Sequence, residues 1–243
     1  MMATLPAPTA ASVAAPTRYD AQRDKLAAYF DGTARKAWID LTSDAEVGGI
    51  RATVRAGRER MRATLLDWLP EDLRRKRLLD AGCGTGALSV DAACRGGHVA
   101  AIDIAAGLVE IARKREPSFL GHGRIDWSVG DMLEPSLGEF DHVVAMDSLI
   151  HYRADDLVDT LQLLGRRCHG SILFTFAPHT PLLGAMHAAG KLFPRGNRSP
   201  AIVPINEQRL RRRLAGLHGW RVGRSERISS GFYTSQAFEL VRR

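Results

Sequence analysis

The sequence lacks an unbroken apolar run of about 18 residues, the length that a membrane-spanning helix needs, so no such helix is expected. Cysteine is also scarce: Cys83, Cys94 and Cys168 are the only three, and none stands in a CxxC pair. This scarcity argues against a disulfide-stabilised scaffold and against a zinc site, and it is typical of proteins in the reducing cytoplasm. No metal site belonging to the protein itself is expected.

The first 17 residues lack charge, and the first arginine is Arg18. They are rich in alanine, proline and threonine, with too few large apolar residues to bury a core. They also lack the basic start and the continuous apolar stretch of a secretory signal. We expect residues 1–17 to be a disordered tail.

Acidic residues are fewer than basic ones: 27 Asp and Glu against 34 Lys and Arg give a net charge of +7. Such an excess indicates an anionic partner, either a polyacid ligand, a nucleic acid or a membrane surface. It is equally compatible with a solvated basic surface, and the charge alone does not choose among these.

Two helices are predicted before residue 76, one from Arg18 to about Trp38 and one from Ile50 to Leu69, separated by a break at Gly48-Gly49. One face of the second helix is apolar, with Ile50, Val54, Met61 and Leu65. A neighbouring stripe is basic, with Arg51, Arg55, Arg58 and Arg62. We interpret residues 18–75 as a helical segment that forms a lid over the rest of the chain.

From residue 76 onward, short apolar strands alternate with helices. Strands are expected at Arg77–Asp80, Val99–Asp103, Ile125–Val129, Asp141–Met146 and Ser171–Phe176, and later at Trp220–Ile228 and Thr234–Val241. Helices are expected at Ala87–Arg95, Gly107–Arg115, Asp155–Arg167 and Asn206–Leu217. This order predicts a Rossmann-like α/β fold over residues 76–243, with a mostly parallel seven-stranded sheet and helices on both faces. Residues 178–204 interrupt the alternation and are interpreted as a cap inserted after the fifth strand.

The strongest motif is D-A-G-C-G-T-G at residues 80–86, where an apolar strand runs into a glycine-rich turn that opens a helix. Glycines let the chain turn sharply and let a ligand approach the backbone closely. Asp103 ends the next strand, where a carboxylate can accept hydrogen bonds from ribose hydroxyls. The turn also satisfies the looser G-x-G-x-x-G/A pattern of dinucleotide-binding proteins.

Three further features favour a ligand that carries an amino acid over a dinucleotide. Asp80 at the strand end would repel a pyrophosphate and suits an ammonium group. Asp131 follows the third strand, well placed for an adenine amino group, with Met132 as a ring contact. The fourth strand ends at Met146, aimed at the same edge of the sheet, where ligands of open α/β sheets bind.

This combination resembles the class I S-adenosylmethionine-dependent methyltransferases over residues 76–243. The resemblance implies S-adenosylmethionine as cofactor and S-adenosylhomocysteine as product. The cofactor contacts that it implies are Asp80, Gly82, Cys83, Gly84, Gly86, Asp103, Ile104, Asp131, Met132 and Met146.

Further segments resemble the magnesium protoporphyrin IX O-methyltransferases of chlorophyll and bacteriochlorophyll synthesis. They are Y-F-D-G-T-A at 29–34, I-R-A-T-V-R-A-G-R at 50–58, M-D-S-L-I-H-Y at 146–152, G-K-L-F-P at 190–194 and R-S-P at 198–200. The resemblance implies methylation of one propionate carboxylate of the magnesium porphyrin, with magnesium present only as part of that substrate.

The resemblance also implies that Tyr29 and His151 are the catalytic residues. His151 could hydrogen-bond the carboxylate, take up a proton or ligate the magnesium axially, and the sequence does not separate these roles. Arginine and lysine can bind the carboxylates of a porphyrin, so the candidate substrate contacts are basic. They are Arg51, Arg55 and Arg58 of the predicted helix, with a solvated helix face as the alternative, and Lys191, Arg195 and Arg198 of the predicted cap.

Other functions are weighed against this one. The main alternative is a methyltransferase for another small acceptor such as a quinone, while an NAD-dependent reductase and a non-catalytic cofactor-binding module stay open. Nucleic acid is not expected as a partner, because the Asn/Asp-Pro-Pro-aromatic motif of amino-methylating enzymes does not follow the fourth strand, where Met146-Asp147-Ser148-Leu149 stands. The family implies a cytoplasmic enzyme that receives its porphyrin from the large subunit of magnesium chelatase. Arg209, Arg211, Arg212 and Arg213 could add peripheral contact with an anionic, photosynthetic membrane.

Overall fold

The computed structural model describes residues 17–32, 42, 48–179 and 202–243. Its helices are α1 (Arg18–Asp31), α2 (Gly49–Trp68), α3 (Ala87–Cys94), α4 (Ala106–Arg115), α5 (Ala154–Gly165) and α6 (Glu207–Leu214). Its strands are β1 (Arg77–Ala81), β2 (His98–Asp103), β3 (Arg124–Val129), β4 (Phe140–Ala145), β5 (Cys168–Phe176), β6 (Trp220–Ser230) and β7 (Tyr233–Arg242). Two short 3₁₀ turns, Pro135–Leu137 and Leu149–His151, flank β4.

The seven strands form one sheet in the order β3-β2-β1-β4-β5-β7-β6. The first five strands pair in parallel, and β7 pairs antiparallel with both β5 and β6. This arrangement confirms the predicted Rossmann-like, mostly parallel sheet. The order reverses at β1, so the carboxyl ends of β1, β2 and β4 meet where such sheets bind ligands.

Both faces of the central strands are buried, and alternate residues of β1 and β4 supply the two cores. Leu79 and Val143 face one core, which also contains side chains of α1, α5 and α6. Their neighbours Leu78 and Val144 face the other core, which contains side chains of α2 and α3. Because successive side chains of a strand point to opposite faces, the continuous apolar runs of β1 and β4 are explained by burial on both sides.

The segment predicted as a lid, residues 18–75, contains two different parts. In α1, Leu26 is the buried residue, and this helix begins at a capping box in which Thr17 and Asp20 bond each other's backbone N–H. The second half of α2 instead packs into the core beneath the sheet through Met61 and Leu65, both fully buried. The two helices thus differ, because α2 contributes large apolar side chains to a core, whereas the buried residue of α1 is Leu26 alone.

Several boundaries and the exposure of one residue differ from the sequence prediction. The helix expected to reach about residue 38 ends at Asp31, with Gly32 as its C-cap, and residues 33–38 lie outside the described residues. The fifth strand begins at Cys168, because this buried residue already pairs with Phe140 of β4. Ile50, expected on the apolar face, is 56% exposed because it stands in the first turn of α2.

The two ends of the predicted cap are close together. Pro178 forms a parallel bridge with Ile205, and the Val203 N–H donates to the carbonyl oxygen of Ile150 at 2.9 Å. The segment between them, residues 180–201, lies outside the described residues. None of the helices in the described ranges is both long and apolar enough to cross a bilayer.

Candidate active site

A cavity of about 310 Å³ lies at the carboxyl edge of the sheet. Its floor is the glycine-rich turn after β1 together with the residues that end β2 and β4. Its roof comes from α1 and from one face of α2, and the 3₁₀ turn Leu149–His151 closes one side. The cavity therefore brings together the segments that the sequence assigned to cofactor and substrate.

The turn after β1 requires glycine at two positions, where a side chain would collide with a neighbouring residue. Gly82 has a φ of +89°, and a Cβ on it would lie 2.4 Å from the Cβ of Ser148. Gly86 has a φ of +85°, and a Cβ there would lie 2.4 Å from the Trp127 ring. A side chain at either position would be strained and would push a neighbour aside. The buried Ser148 hydroxyl has no hydrogen-bond partner among the described residues, so a ligand in this cradle could supply one.

Asp103, at the end of β2, shapes the same turn from the other side. Its carboxylate accepts hydrogen bonds from the backbone N–H of Gly84 at 2.8 Å and from that of Ala105 at 2.9 Å. Burial raises the pKa of this carboxyl, and these backbone bonds offset part of the effect. Ile104, the next residue, also lines the cavity.

Asp80, at the end of β1, is buried and accepts a hydrogen bond of 2.5 Å from the Ser89 hydroxyl. Burial raises its pKa to about 7; the Ser89 bond lowers it, and the charge of Asp103 raises it further. Within the described ranges, neither carboxylate takes part in an ion pair. Two buried acids of this kind fit a cationic ligand, which would restore the charge balance that burial disturbs.

The remaining predicted cofactor residues fall into two groups. Cys83, Gly84, Met132 and Met146 line the cavity. Burial raises the pKa of the Cys83 thiol, which therefore stays protonated and acts as an apolar wall. Asp131 is different, because its carboxylate accepts hydrogen bonds from α1: from the Tyr19 hydroxyl at 2.8 Å and from Arg23 at 2.9 Å.

Helix α1 is held over the cavity by contacts from several turns. Tyr19 lines the cavity and stacks on Tyr152, with ring centroids 5.2 Å apart. Burial raises the pKa of Tyr19, so its hydroxyl remains protonated and donates to Asp131. The Gln22 side chain donates to the carbonyl oxygen of His151 at 3.2 Å, and Arg18 pairs with Asp156. The helix thus joins the loops after β3 and β4.

The two predicted catalytic residues are placed differently. His151 is buried, lines the cavity, and its ring lies 5.9 Å from that of Phe30, which also lines the cavity. Tyr29 is half-buried, packs edge-on against Phe30 at 5.3 Å, and does not line the cavity.

The basic stripe of α2 is also divided. Arg55, Arg58 and Arg62 line the cavity, whereas Arg51 is exposed and outside it. Arg58 forms an ion pair of 2.6 Å with Asp147, and Arg62 pairs with Asp91 at 2.8 Å. One face of α2 thus presents three guanidinium groups opposite the buried acids of the sheet.

The predicted substrate contacts Lys191, Arg195 and Arg198 lie outside the described residues. Sequence reasoning missed several residues that line the cavity, among them Tyr19, Phe30, Asp147 and Tyr152. Helical spacing could have found the first two, because Tyr19, Leu26 and Phe30 follow one another at intervals of seven and four and share a face of α1. Asp147 stands within the M-D-S-L-I-H-Y motif, where its position at a strand end was the available signal.

Two family models match the chain. One, described as the C-terminus of magnesium-protoporphyrin IX methyltransferase, matches residues 145–242. The other, described as a methyltransferase domain, matches residues 78–169 and so includes the glycine-rich turn.

Whole proteins are similar over most of the chain. A magnesium-protoporphyrin O-methyltransferase of Rhodobacter capsulatus is 47% identical over 92% of this chain and 98% of its own length. One of Synechocystis is 29% identical over 88% of this chain and 94% of its own length. The crystal structure of the magnesium protoporphyrin IX methyltransferase from Synechocystis PCC 6803 with bound S-adenosylhomocysteine is 26% identical, has a TM-score of 0.80, and covers 90% of this chain and 99% of its own.

Proposed function

The chain belongs to the magnesium-protoporphyrin O-methyltransferases, S-adenosylmethionine-dependent enzymes of chlorophyll biosynthesis, and on this premise we propose how its residues act. The substrate is Mg-protoporphyrin IX, and the product is its monomethyl ester, formed on one propionate carboxylate. The observation that carries the proposal is the division of the cavity, which has the carboxylates of Asp80 and Asp103 on one side and three arginines, with Glu59 and Asp147 among them, on the other.

The sheet edge holds the cofactor. Asp80 binds the ammonium of the methionine moiety, and Asp103 binds the ribose hydroxyls. Met132, Met146 and Ile104 contact the adenine and its surroundings, and Asp131 lies at the adenine end, where it also secures α1. When bound, S-adenosylmethionine supplies a methyl group that its sulfonium already activates.

The α2 face holds the substrate. A propionate has a pKa of about 4–5 by analogy with glutamate and is ionised near pH 7, so no strong base is needed to make the nucleophile. Arg55 and Arg58 bind propionate oxygens, and the apolar rings of Tyr19 and Phe30 contact the macrocycle. The chain contributes mainly placement of the carboxylate oxygen in line with the methyl carbon, an effect worth up to roughly 7–11 kcal/mol.

His151 acts at the junction of the two walls. Its backbone is fixed by Gln22 and its ring by Phe30, so it is positioned independently of the ligands. Tyr29 acts together with His151, and the Phe30 ring contacts both residues. Arg51 extends the basic face outside the cavity, where it attracts the anionic substrate before binding.

The predicted lid and cap exclude water from the transfer. Helix α1 supplies the lid, and residues 178–204, including Lys191, Arg195 and Arg198, supply the cap. The support for a cap is that Val203, near its end, donates a hydrogen bond to the carbonyl oxygen of Ile150, the neighbour of His151. Deletion of residues 1–38 should sharply reduce turnover, and unchanged turnover would refute the lid.

The decisive assay follows labelled methyl transfer from S-adenosylmethionine to Mg-protoporphyrin IX, to metal-free protoporphyrin and to a quinol. We expect one ester on the magnesium porphyrin and little label on the other two acceptors. Transfer to the quinol alone would identify the small-acceptor alternative. No transfer to the porphyrin, with S-adenosylhomocysteine still bound, would remove the substrate assignment and leave that of the cofactor.

The role of His151 can be resolved with His151→Ala, against His169→Ala as a control at an exposed histidine. If His151 transfers a proton, His151→Ala should lower kcat by roughly 10²- to 10⁴-fold and remove one titrating limb from the pH profile. If His151 anchors the carboxylate, the variant should instead have a raised KM. If His151 is an axial ligand of the magnesium, the variant should lack the spectral change of the magnesium porphyrin on binding.

We propose that the porphyrin is delivered by the large subunit of magnesium chelatase. The substrate is a flat apolar disc that is poorly soluble in water, so direct transfer avoids its release. Turnover with porphyrin bound to that subunit should exceed turnover with the same concentration of free porphyrin. If the large subunit instead lowered turnover in proportion to the porphyrin that it binds, delivery would be contradicted.

Peripheral membrane contact is proposed through α6, which carries Arg209, Arg211, Arg212 and Arg213. Two of these are already engaged, since Arg211 pairs with Glu207 and Arg213 with Asp155. The exposed Arg209 and Arg212 would therefore carry the contact. Binding should require anionic vesicles and be lost in salt or in the Arg209→Ser/Arg212→Ser double variant. Equal binding to neutral vesicles would argue against this contact.

A further inference from the structure

Asp147 follows β4 and has a backbone conformation that is rare outside glycine, with a φ of +54°. Its side chain is only 4% exposed, although it lines the cavity. A non-glycine residue with a positive φ keeps this conformation only where its surroundings hold it there, and such residues concentrate at functional sites. The contacts of Asp147 therefore call for an explanation.

The carboxylate of Asp147 is bound by side chains from two strands, β5 and β7. The Tyr233 hydroxyl lies 3.1 Å from Oδ1, and the hydroxyls of Ser235 and Thr175 lie 3.3 and 3.2 Å from the same oxygen. Its own backbone N–H donates to the Thr175 hydroxyl at 2.7 Å. Burial raises the pKa of Tyr233, and the charge of Asp147 raises it further, so the phenol stays protonated and donates. The sheet thus fixes this carboxylate before any ligand arrives.

The other oxygen of Asp147 receives Arg58 at 2.6 Å. The helix comes this close because the residue before Arg58 is a buried glycine: a Cβ on Gly57 would lie 2.4 Å from the Tyr233 ring. The same ring therefore packs on α2 and donates to Asp147. The backbone of α2, the Tyr233 ring and the Asp147 carboxylate all contribute to where the Arg58 guanidinium lies.

We infer that Asp147 is a positioning residue, which holds the Arg58 guanidinium in the cavity in the orientation that receives a substrate carboxylate. The inference rests on the proposed function, in which Arg58 binds a propionate. A guanidinium has five N–H donors, so one bond to Asp147 is compatible with binding a second carboxylate. A long side chain fixed in advance loses less rotamer freedom on binding, and the affinity for substrate rises accordingly.

The test compares Asp147→Asn, which keeps the shape and removes the charge, with Asp126→Asn, a control at an exposed carboxylate on β3. We expect KM for Mg-protoporphyrin IX to rise about 10- to 30-fold in Asp147→Asn, the range for loss of a charge-assisted hydrogen bond. The affinity for S-adenosylhomocysteine should stay within about 2-fold, because the cofactor wall is unchanged.

A double-mutant cycle separates positioning from a purely structural role. If Asp147 acts through Arg58, Asp147→Asn should add little to KM once Arg58→Ala is present. Additive effects on KM, or an equal loss of affinity for both ligands, would overturn the inference. Should Asp147→Asn fail to fold, Tyr233→Phe provides the same cycle, with an expected rise in KM of about 2- to 5-fold that disappears in the Arg58→Ala background.

Failure of the inference and failure of the proposed function give different results. An unchanged KM in Arg58→Ala would remove Arg58 from the substrate site, and the inference would fall with it. A raised KM in Arg58→Ala but not in Asp147→Asn would leave the proposed function intact and refute only the positioning role.

Discussion

The two walls of the cavity are built in different ways. The centre of the cofactor wall is local: the turn after β1 bonds to Asp103 only 19 residues later, and Asp80 bonds to Ser89 nine residues later. The substrate wall joins distant parts of the chain, because Arg58 pairs with Asp147 across 89 residues and Tyr19 bonds to Asp131 across 112. The cofactor wall is thus part of the sheet, whereas the substrate wall depends on helices that dock onto it.

The charges of the two walls differ as well. In the proposed cofactor wall, burial raises the pKa values of Asp80 and Asp103, and a bound cation would favour their ionised forms. The substrate wall has arginines whose charges are partly balanced by Asp147 and Asp91, so it is prepared for an anion. Because the ammonium of the cofactor and the propionates of the porphyrin have opposite charges, we expect a change in one wall to alter mainly the affinity for one ligand.

The largest effect is expected from Gly82→Ala. A Cβ at a φ of +89° and 2.4 Å from Ser148 should distort the turn and weaken S-adenosylhomocysteine binding by roughly 100-fold. Gly121→Ala is the matched control, because Gly121 also has a positive φ of +65° but no atom within 4 Å of a Cβ. Both variants should lose thermal stability, but only Gly82→Ala should lose affinity in calorimetry. Equal affinities would show that the turn does not hold the cofactor.

A second contrast lies within one helix. Arg55→Ala should raise KM for the magnesium porphyrin about 10- to 30-fold, because a charge-assisted contact in the cavity is lost. Arg51→Ala removes the same charge one turn earlier, from an exposed position outside the cavity, and its KM should change less than about 3-fold. Steady-state kinetics at two salt concentrations would make the comparison. Similar effects in both variants would mean that the stripe acts as a general basic surface.

These contrasts also show what the sequence could predict. The glycine-rich turn, Asp80 and Asp103 were predictable because strand, turn and acid follow one another within 24 residues, and the alternation of strands and helices specified the sheet. The pairing of Arg58 with Asp147 was not predictable, because it depends on how closely α2 packs on Tyr233. Tyr29 and Phe30 are adjacent in the sequence, and only the docking of α1 decides which of them reaches the cavity.

The affinity of the cofactor wall for S-adenosylhomocysteine should change about 10-fold with pH. Asp80 has a pKa of about 7, and an ammonium group binds its ionised form, so S-adenosylhomocysteine should bind about 10-fold more weakly at pH 6 than at pH 8. The ligand-free protein should show the opposite trend: this pKa exceeds the unfolded value, so the contribution of Asp80 to stability is lost as pH rises from about 4 to about 7. Calorimetry at several pH values should detect both trends as differences between the wild type and Asp80→Asn, in which the contribution of Asp80 is absent. A pH dependence that survives in Asp80→Asn would assign it to another group.

The smallest effect is expected from loosening α1. Tyr19→Phe removes the hydrogen bond to Asp131 and keeps the stack on Tyr152, so turnover should fall about 3- to 10-fold. Arg18→Ala, which breaks an exposed ion pair of the same helix, should change turnover less than about 2-fold. Hydrogen exchange of α1 amides should rise more in Tyr19→Phe than in Arg18→Ala. Equal exchange and turnover would mean that Tyr19 does not secure the helix.

The most direct test of the two-wall account is a crossed titration, in which Asp103→Asn and Arg55→Ala are each titrated with S-adenosylhomocysteine and with Mg-protoporphyrin IX. The account predicts that Asp103→Asn weakens only S-adenosylhomocysteine binding and that Arg55→Ala weakens only porphyrin binding, each by at least about 10-fold. If either variant weakened both ligands equally, or if the pattern were reversed, the division of the cavity into a cofactor wall and a substrate wall would be contradicted.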